Sequence, residues 1–356
     1  MAPNEQQATI KEVARLAGVA ASSVSRALND HPDVSPDMRA RVMHAVEQLG
    51  YKPDFLAQSL RLGATRTIGF VVRDISNPLF AGIVKGAEQE LESHGYSILL
   101  MNSLGDPMLD AKHVGVLRQR RVDGLILSLQ SETNADTVRA LKNQSTPIVF
   151  LDREIKGVAS DAVFFDHSAG VGEATTALLK LGHRRISLIV GSGETRGSRE
   201  RLKGFRTACM SAGISSSDDF VAEVSSYSRD DGFNAATSLL DRDKPPTAII
   251  AGNSQLGVGT LAALNERGLR HGEDVSLVIC DDVELLRLMD PPVSVVARDA
   301  EKMGTVAAEL LLARLEESDS PLRSIVLPTY YVQRESTQRP RAEAHQRVAA
   351  RRAAAR

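Results

Sequence analysis

Three stretches of the 356-residue chain carry residues whose type and spacing could do chemistry. The run GSGETRG (191–197) follows an apolar segment and precedes a helical one, as a phosphate loop does. Its glycine spacing is GxGxxxG rather than GxGxxG, and no Walker lysine follows. It reads as a loop presenting Arg199. Asp281 and Asp282 could ligate a metal, but two adjacent carboxylates without a nearby histidine make a poor cation site. His183, in LGHRR, reads as a residue that orders a turn. The chain has no nucleophile elbow, zinc-binding helix or P-loop. Cys209 and Cys280 are too few for a disulfide framework, and no Cys/His cluster has zinc spacing. The expectation is a protein without metal or cofactor, and not an enzyme.

Such residues need elements to position them. Hydrophobic residues make up 42% and charged residues 25%, as in ordinary globular chains, which excludes collagen, mucin and acidic-tail classes. No run approaches the ~18 apolar residues of a membrane span. The opening MAPNEQQATIK lacks the apolar region of a secretion signal. A reducing cytoplasm and no membrane partner are therefore expected. Net charge is −2, so any nucleic-acid site must be local.

From Ile68 to about Leu327, apolar runs alternate with helical stretches. The runs are IGFVV (68–72), YSILLM (96–101), VDGLILS (122–128), PIVFLD (147–152), DAVFFD (161–166), RISLIV (185–190), PTAIIAGN (246–253), VSLVICDD (275–282) and VSVVA (293–297). That alternation predicts βαβ units, with parallel sheets covered on both faces. The segment is too long for one small sheet, so two similar α/β lobes are expected. Residues 338–356 carry six Arg against one Glu and no Leu, which predicts a basic, disordered tail.

Residues 1–66 have helical patterns and no strand signals. Thr9 and Glu12 form a capping box. Ile10, Val13, Ala14 and Ala17 then share one helix face, and Gly18 ends it. A second helix, Ala21 to about Leu28, turns Val24, Ala27 and Leu28 inward and leaves Ala21, Ser22, Ser25 and Arg26 outside. Ser35 and Pro36 start a third helix, with an apolar stripe of Met38, Val42, Ala45, Val46 and Leu49 before Gly50. Two short helices across a glycine turn, with a third packed on them, make a helix-turn-helix. Periodicity alone also allows a small helical bundle that caps the larger region.

TIKEVARLAGVAASSVSRALN, followed by VSPDMRARVMHAVEQLGYKPDFLAQSLR, closely resembles the lactose-repressor/galactose-repressor family of bacterial transcription regulators. The resemblance continues through TRTIGFVVRDISNPLFAGIVKGAE, RRVDGLIL, LGHRRISLIVG and PPVSVV, and spans about residues 8–335. It implies a helix-turn-helix headpiece (1–53), a hinge helix and linker (54–66), a two-lobed core like periplasmic sugar-binding proteins (67–337) and the tail (338–356). It also implies a homodimer on operator DNA, most readily a repressor released by a small hydroxylated metabolite, a sugar or sugar acid. A cytoplasmic sugar-binding protein or a sugar-acting enzyme would share the core but not residues 1–66.

By the same resemblance, Ala21, Ser22 and Arg26 occupy base-reading positions, and Thr9, Ser23, Ser25 and Asn29 join them at the DNA. Arg26 could fork onto guanine O6 and N7, or hold a phosphate. The family usually has Ser where this chain has Ala20, so a helix cap worth roughly 0.5–2 kcal/mol is missing there. Residues 1–66 hold eight Lys/Arg and seven Asp/Glu, so placed residues and dimerisation must supply the affinity.

In the implied hinge helix, Ala57 lies where two copies would meet, and Leu60 matches an apolar wedge that opens the minor groove. Asp54 replaces the usual Asn, and Phe55 is a further departure. In the core, the implied effector residues are Phe80, Asp152, Arg199, Asn253 and Asp281. Carboxylates and amides bind paired hydroxyls, arginine forks onto oxygen, and an aromatic stacks on a ring face. Each could instead serve an interlobe salt bridge or hydrogen bond. Ser254 and Cys280 replace the family's usual Asp and aromatic, so the usual monosaccharides are not assumed.

Overall fold

The computed structural model describes residues 8–28, 31–51, 64–142, 145–214 and 217–341. The chain divides into two compact units, Met1–Thr65 and Arg66–Arg356.

In the first unit three helices form: α1 (Ile10–Ala17), α2 (Ala21–Leu28) and α3 (Pro36–Leu49). The capping box is present: Glu12 N donates to Thr9 Oγ1 (3.4 Å), and Thr9 N donates to Glu12 Oε2 (2.7 Å). Gly18 ends α1 at φ +67°, the left-handed conformation that turns the chain into α2 without Cβ strain. Ser35 caps α3, and Pro36 fills its first turn. Val13, Val24 and Val42 meet in a fully buried core. Leu49, expected on the α3 stripe, is exposed instead. At 1.5 Å per residue, α1 and α2 are each about 12 Å long and α3 about 21 Å, so its last turn runs past the helices that cover it.

The second unit begins with a lobe of β1 (Thr67–Val72), α4 (Pro78–Ser93), β2 (Ser97–Asn102), α5 (Pro107–Gln119), β3 (Gly124–Leu127), α6 (Ala135–Lys142), β4 (Ile148–Leu151) and β5 (Asp161–Phe165). The chain then crosses to a second lobe of α7 (His167–Lys180), β6 (Ile186–Gly191), α8 (Arg196–Ser211), β7 (Val221–Val224), α9 (Arg229–Leu240), β8 (Ala248–Ala251), α10 (Ser254–Glu266), β9 (Ser276–Cys280), α11 (Glu284–Arg287) and β10 (Ser294–Arg298). It returns for α12 (Ala300–Glu316) and β11 (Ser324–Leu327), then crosses again into β12 (Thr329–Val332). Three crossings therefore join the lobes, at Asp166, at Arg298–Asp299 and at Pro328.

Each lobe holds a six-stranded sheet, in the orders β11-β5-β4-β3-β1-β2 and β12-β10-β9-β8-β6-β7. All nine apolar runs form strands. Three further strands, β7, β11 and β12, escaped the sequence reading, since each is a four-residue strand with at most one buried position. Strand β12 pairs antiparallel with β10, the one departure from the parallel expectation among the described strands.

Helices α4 and α12 cross at two glycines. A Cβ on Gly304 would sit 1.9 Å from the Ile83 carbonyl oxygen, and one on Gly86 would sit 2.0 Å from the Glu301 carbonyl oxygen. This contact seats the returning helix α12 on the first lobe beside Phe80 and Ile83. The region expected to start the tail is tied down: Gln338 N donates to Ser276 Oγ (3.1 Å), and its carbonyl lies 2.8 Å from His183 Nε2. The second lobe thus reaches past 337, because Gln338 supplies partners for buried polar groups. Residues 342–356 lie outside the described residues.

Candidate interlobe site and DNA-reading helix

Parallel strands with helical crossovers deliver loop residues to the carboxyl ends of the sheet, where ligands bind in such folds. Asp152 follows β4 in the first lobe and Asp281 follows β9 in the second. Both have left-handed backbones, at φ +53° and +88°. Aspartate tolerates this better than most residues, and such strain gathers at functional positions.

Arg298, at the end of β10, joins the two aspartates. Its Nε donates to Asp281 Oδ1 (2.7 Å), and its Nη1 donates to Asp152 Oδ2 (3.3 Å). Asp152 Oδ1 accepts from Phe165 N (2.9 Å), and its Oδ2 lies 2.9 Å from His167 Nε2. Burial alone would raise the Asp152 carboxyl, but His167 and Arg298 hold it well below the usual carboxylate range. Burial, reinforced by Arg201, pushes His167 down to about 4. The imidazole is therefore neutral at physiological pH and donates its Nε2–H to the carboxylate.

Further ties cross between the lobes. Glu132 accepts from Arg196 N (2.8 Å) through Oε1 and from Arg199 Nη2 (3.0 Å) through Oε2. Ser254 Oγ donates to Asn77 Oδ1 (3.5 Å). The cleft around these aspartates leaves about 30 Å³, room for a water but far below the ~300 Å³ of a small ligand pocket.

Phe80, Asp152, Asn253 and Asp281 all line this cleft, and Arg199 does not. Arg199 is half exposed and donates to the carbonyls of Gly193 (3.2 Å) and Glu194 (3.1 Å) as well as to Glu132. Its place as an effector residue is corrected to that of an interlobe ion pair. Arg201 lines the cleft instead, buried and 6.0 Å from the Tyr227 ring. Two residues along an α-helix are about 200° apart, so only one of the two arginines can face inward. The signal was available: Gly197, Arg201, Gly204, Phe205 and Cys209 form the buried stripe of α8. The loop 191–197 thus leads into the helix that carries Arg201.

Two other sequence expectations need adjustment. The Phe80 ring, expected to be free for stacking, already has the Arg73 guanidinium 5.2 Å from its centroid. Asn253 caps α10 through Oδ1, which accepts from Leu256 N (2.7 Å), and its Nδ2 donates to the Tyr227 carbonyl (3.4 Å). Besides Arg201, sequence reasoning missed Arg73, His167, Tyr227 and Arg298, none of which sits in a motif that announces it. Asp282 pairs with Arg287 (2.6 Å) and Arg334 (2.8 Å).

On the headpiece, Ser22 and Arg26 are exposed on α2, while Ala21, Ser23 and Ser25 are partly covered. Thr9 is exposed, but its hydroxyl donates to Glu12 Oε2 (2.9 Å). Asn29, Asp54, Phe55, Ala57 and Leu60 lie outside the described residues.

Residues 9–54 match the model of bacterial regulatory proteins of the lacI family, and residues 175–337 match a periplasmic binding protein-like domain. The ribose operon repressor of Haemophilus influenzae is 33% identical over 92% of this chain and 98% of its own length. The chain belongs to the lacI family. As a lacI-family protein it is a DNA-binding transcriptional regulator with a two-lobed α/β core. The lac repressor dimer, solved with operator and an anti-inducer, superposes on this lacI-family chain with a TM-score of 0.81 at 26% identity, covering 94% of this chain and 100% of that one. A lacI-family regulator from Enterococcus faecium with bound ribose gives 0.69 at 28% identity, covering 77% of this chain and 100% of that one. No helix among the described residues is long and apolar enough to cross a membrane.

Proposed function

We propose that the protein is a cytoplasmic homodimeric repressor, without catalytic activity, whose operator affinity is set by a hydroxylated metabolite bound between its lobes. One observation carries this reading. A single chain holds a helix-turn-helix and a cleft in which Arg298 bridges an aspartate from each lobe. Relatives named as repressors, one neighbour solved with operator and another with ribose, support it.

The headpiece comprises residues 1–53 and a hinge follows to residue 66. Ala21, Ser22 and Arg26 read bases, and Thr9, Ser23, Ser25 and Asn29 assist. Leu60 wedges the minor groove while Ala57 lets two hinge copies meet. Phe80, Asp152, Asn253 and Asp281 surround the effector together with Arg201.

The mechanism is linkage. The cleft as it stands admits no metabolite, so binding selects a more open arrangement of the lobes and moves the hinge segments of the dimer. A coupling of about 1–3 kcal/mol changes operator affinity roughly 5–150-fold. Fluorescence anisotropy with a labelled pseudo-palindromic operator tests the first half of the reading. Leu60→Ala is expected to weaken specific binding far more than non-specific binding. Equal loss in both rejects the wedge, and absence of sequence-specific binding by the unmodified protein rejects the repressor.

A further inference from the structure

We propose that the effector is an anion: a hydroxylated metabolite whose carboxylate or phosphate is gripped jointly by Arg73 and Arg201. This rests on reading the interlobe cleft as the effector site.

Four arginines (Arg73, Arg153, Arg201, Arg298) and two aspartates (Asp152, Asp281) line the cleft. Both aspartates pair with Arg298, with His167 also on Asp152. The two aspartates and Arg298 together keep one negative charge against the three remaining arginines. Arg153 turns Nε to the Leu129 carbonyl and Nη1 to its neighbour's, that of Asp152. Arg73 and Arg201 are left without a carboxylate within ion-pair distance among the described residues. The Nε of each is buried with no hydrogen-bond partner. Arg201 is only 5% exposed. Burial alone would lower its pKa, but Tyr227, Cys280 and the Asp281 and Asp152 carboxylates raise it, so it stays charged in the cleft without an ion-pair partner of its own.

The two come from opposite lobes, Arg73 after β1 and Arg201 on α8, and converge on one ring. Their guanidinium carbons lie 5.7 and 6.0 Å from the centroid of Tyr227. An aromatic face offsets only part of the charge of two guanidiniums, one of them buried and the other partly so. Burial, with Arg153 adding to it, pushes Arg73 down to about 9, which still leaves it charged at neutral pH. A neutral polyol could occupy the unused N–H groups and would leave the surplus charge standing. A carboxylate or phosphate answers both needs, since the planar guanidinium fork matches its oxygens.

Room for the rest of such a molecule adjoins the pair. A second cavity of about 160 Å³ shares Arg73, Asn77, Phe80, Tyr227 and Asn253 with the cleft. The carboxylate beside it, Asp74, is engaged by Ser76, whose N (2.9 Å) and Oγ (2.7 Å) both donate to Oδ1. An anion held from both lobes would also draw them toward one arrangement, which supplies the differential binding that linkage requires.

The test uses the full-length protein, dialysed free of small molecules, and thermal unfolding. Inorganic phosphate, D-ribonate and D-ribose 5-phosphate are compared with sodium chloride at equal ionic strength and with neutral D-ribose. At least one of these anions is expected to raise the melting temperature by several degrees more than its control, and to lose most of that shift in Arg73→Met and in Arg201→Lys. The ligand-free Arg73→Met protein is expected to melt higher than the unmodified one, because a partly buried guanidinium without a carboxylate partner has gone. Circular dichroism confirms that each variant is folded. A lower melting temperature for ligand-free Arg73→Met makes that arginine structural and overturns the proposal, as does the absence of any shift beyond the controls. A neutral sugar whose binding depends on Arg201 but not Arg73 overturns the anion while leaving the cleft as the effector site. An anion whose shift survives both substitutions binds elsewhere and overturns the cleft as well.

Discussion

His167 Nε2 lies 2.9 Å from Asp152 Oδ2, and the imidazole that makes this contact is neutral. Burial and the nearby Arg201 hold its pKa at about 4, against 6.5 for an unperturbed histidine. The unfolded chain therefore binds more protons than the folded one between these values, and stability rises with pH across that window. Lowering the pH from 7 to 4 is expected to remove on the order of 2–3 kcal/mol, with the further loss from Asp152 arriving only below the ordinary carboxylate range. Urea unfolding at successive pH values reads this out. In His167→Gln the decline between pH 6.5 and 4 should flatten, and an unchanged slope would assign it to other groups.

Arg199 and Arg201 should separate in mutagenesis. Arg201→Ala removes the donor inside the cleft and is expected to abolish the ligand response of operator binding. Arg199→Ala breaks a half-exposed pair with the buried Glu132 and should retain that response. Its stability loss is expected to be about 1 kcal/mol, given the exposure of the arginine end. Calorimetric titration of an identified effector against both variants checks the assignment, and the reverse pattern would restore Arg199 to the site.

Arg26→Ala is expected to relax sequence preference at one position of each operator half-site, at a cost of about 1–3 kcal/mol per bidentate contact. Binding to a library of single-base operator variants measures this. If preferences stay the same and only the salt dependence falls, Arg26 holds a phosphate.

Gly304→Ala tests how the returning helix α12 is seated. The added Cβ would fall 1.9 Å from the backbone of α4, so the helices must move apart. Overpacking of this kind costs about 1–3 kcal/mol or more. Gly115→Ala, on the open face of α5 where nothing lies within 4 Å, is expected to leave stability unchanged or raise it. Equal melting temperatures for the two variants would show that the α4–α12 contact is slack.

The helix-turn-helix could be read in the sequence because every signal for it is local. Thr9 and Glu12 cap across three residues, Gly18 turns the chain by its own φ, and Val13 with Ala17, Val24 with Ala27 and Val42 with Ala45 keep the helical spacing within their own helices. The other nine strands were legible for the same reason, as unbroken apolar runs between helical ones. Strands β7, β11 and β12 were not, because edge strands with few buried positions carry no unbroken apolar run to read. Asp152 and Asp281 could be placed at strand ends, which is a local statement. That they share Arg298 is not, since Arg298 is 146 residues from the first and 17 from the second, and only the crossings between lobes bring the three together. The choice of Arg201 over Arg199 depended on the phase of α8, which its packed stripe sets. The surplus of positive charge in the cleft follows from which carboxylates lie within a few ångströms of which arginines. Composition averages that away at −2 for the whole chain, and tertiary packing alone decides it.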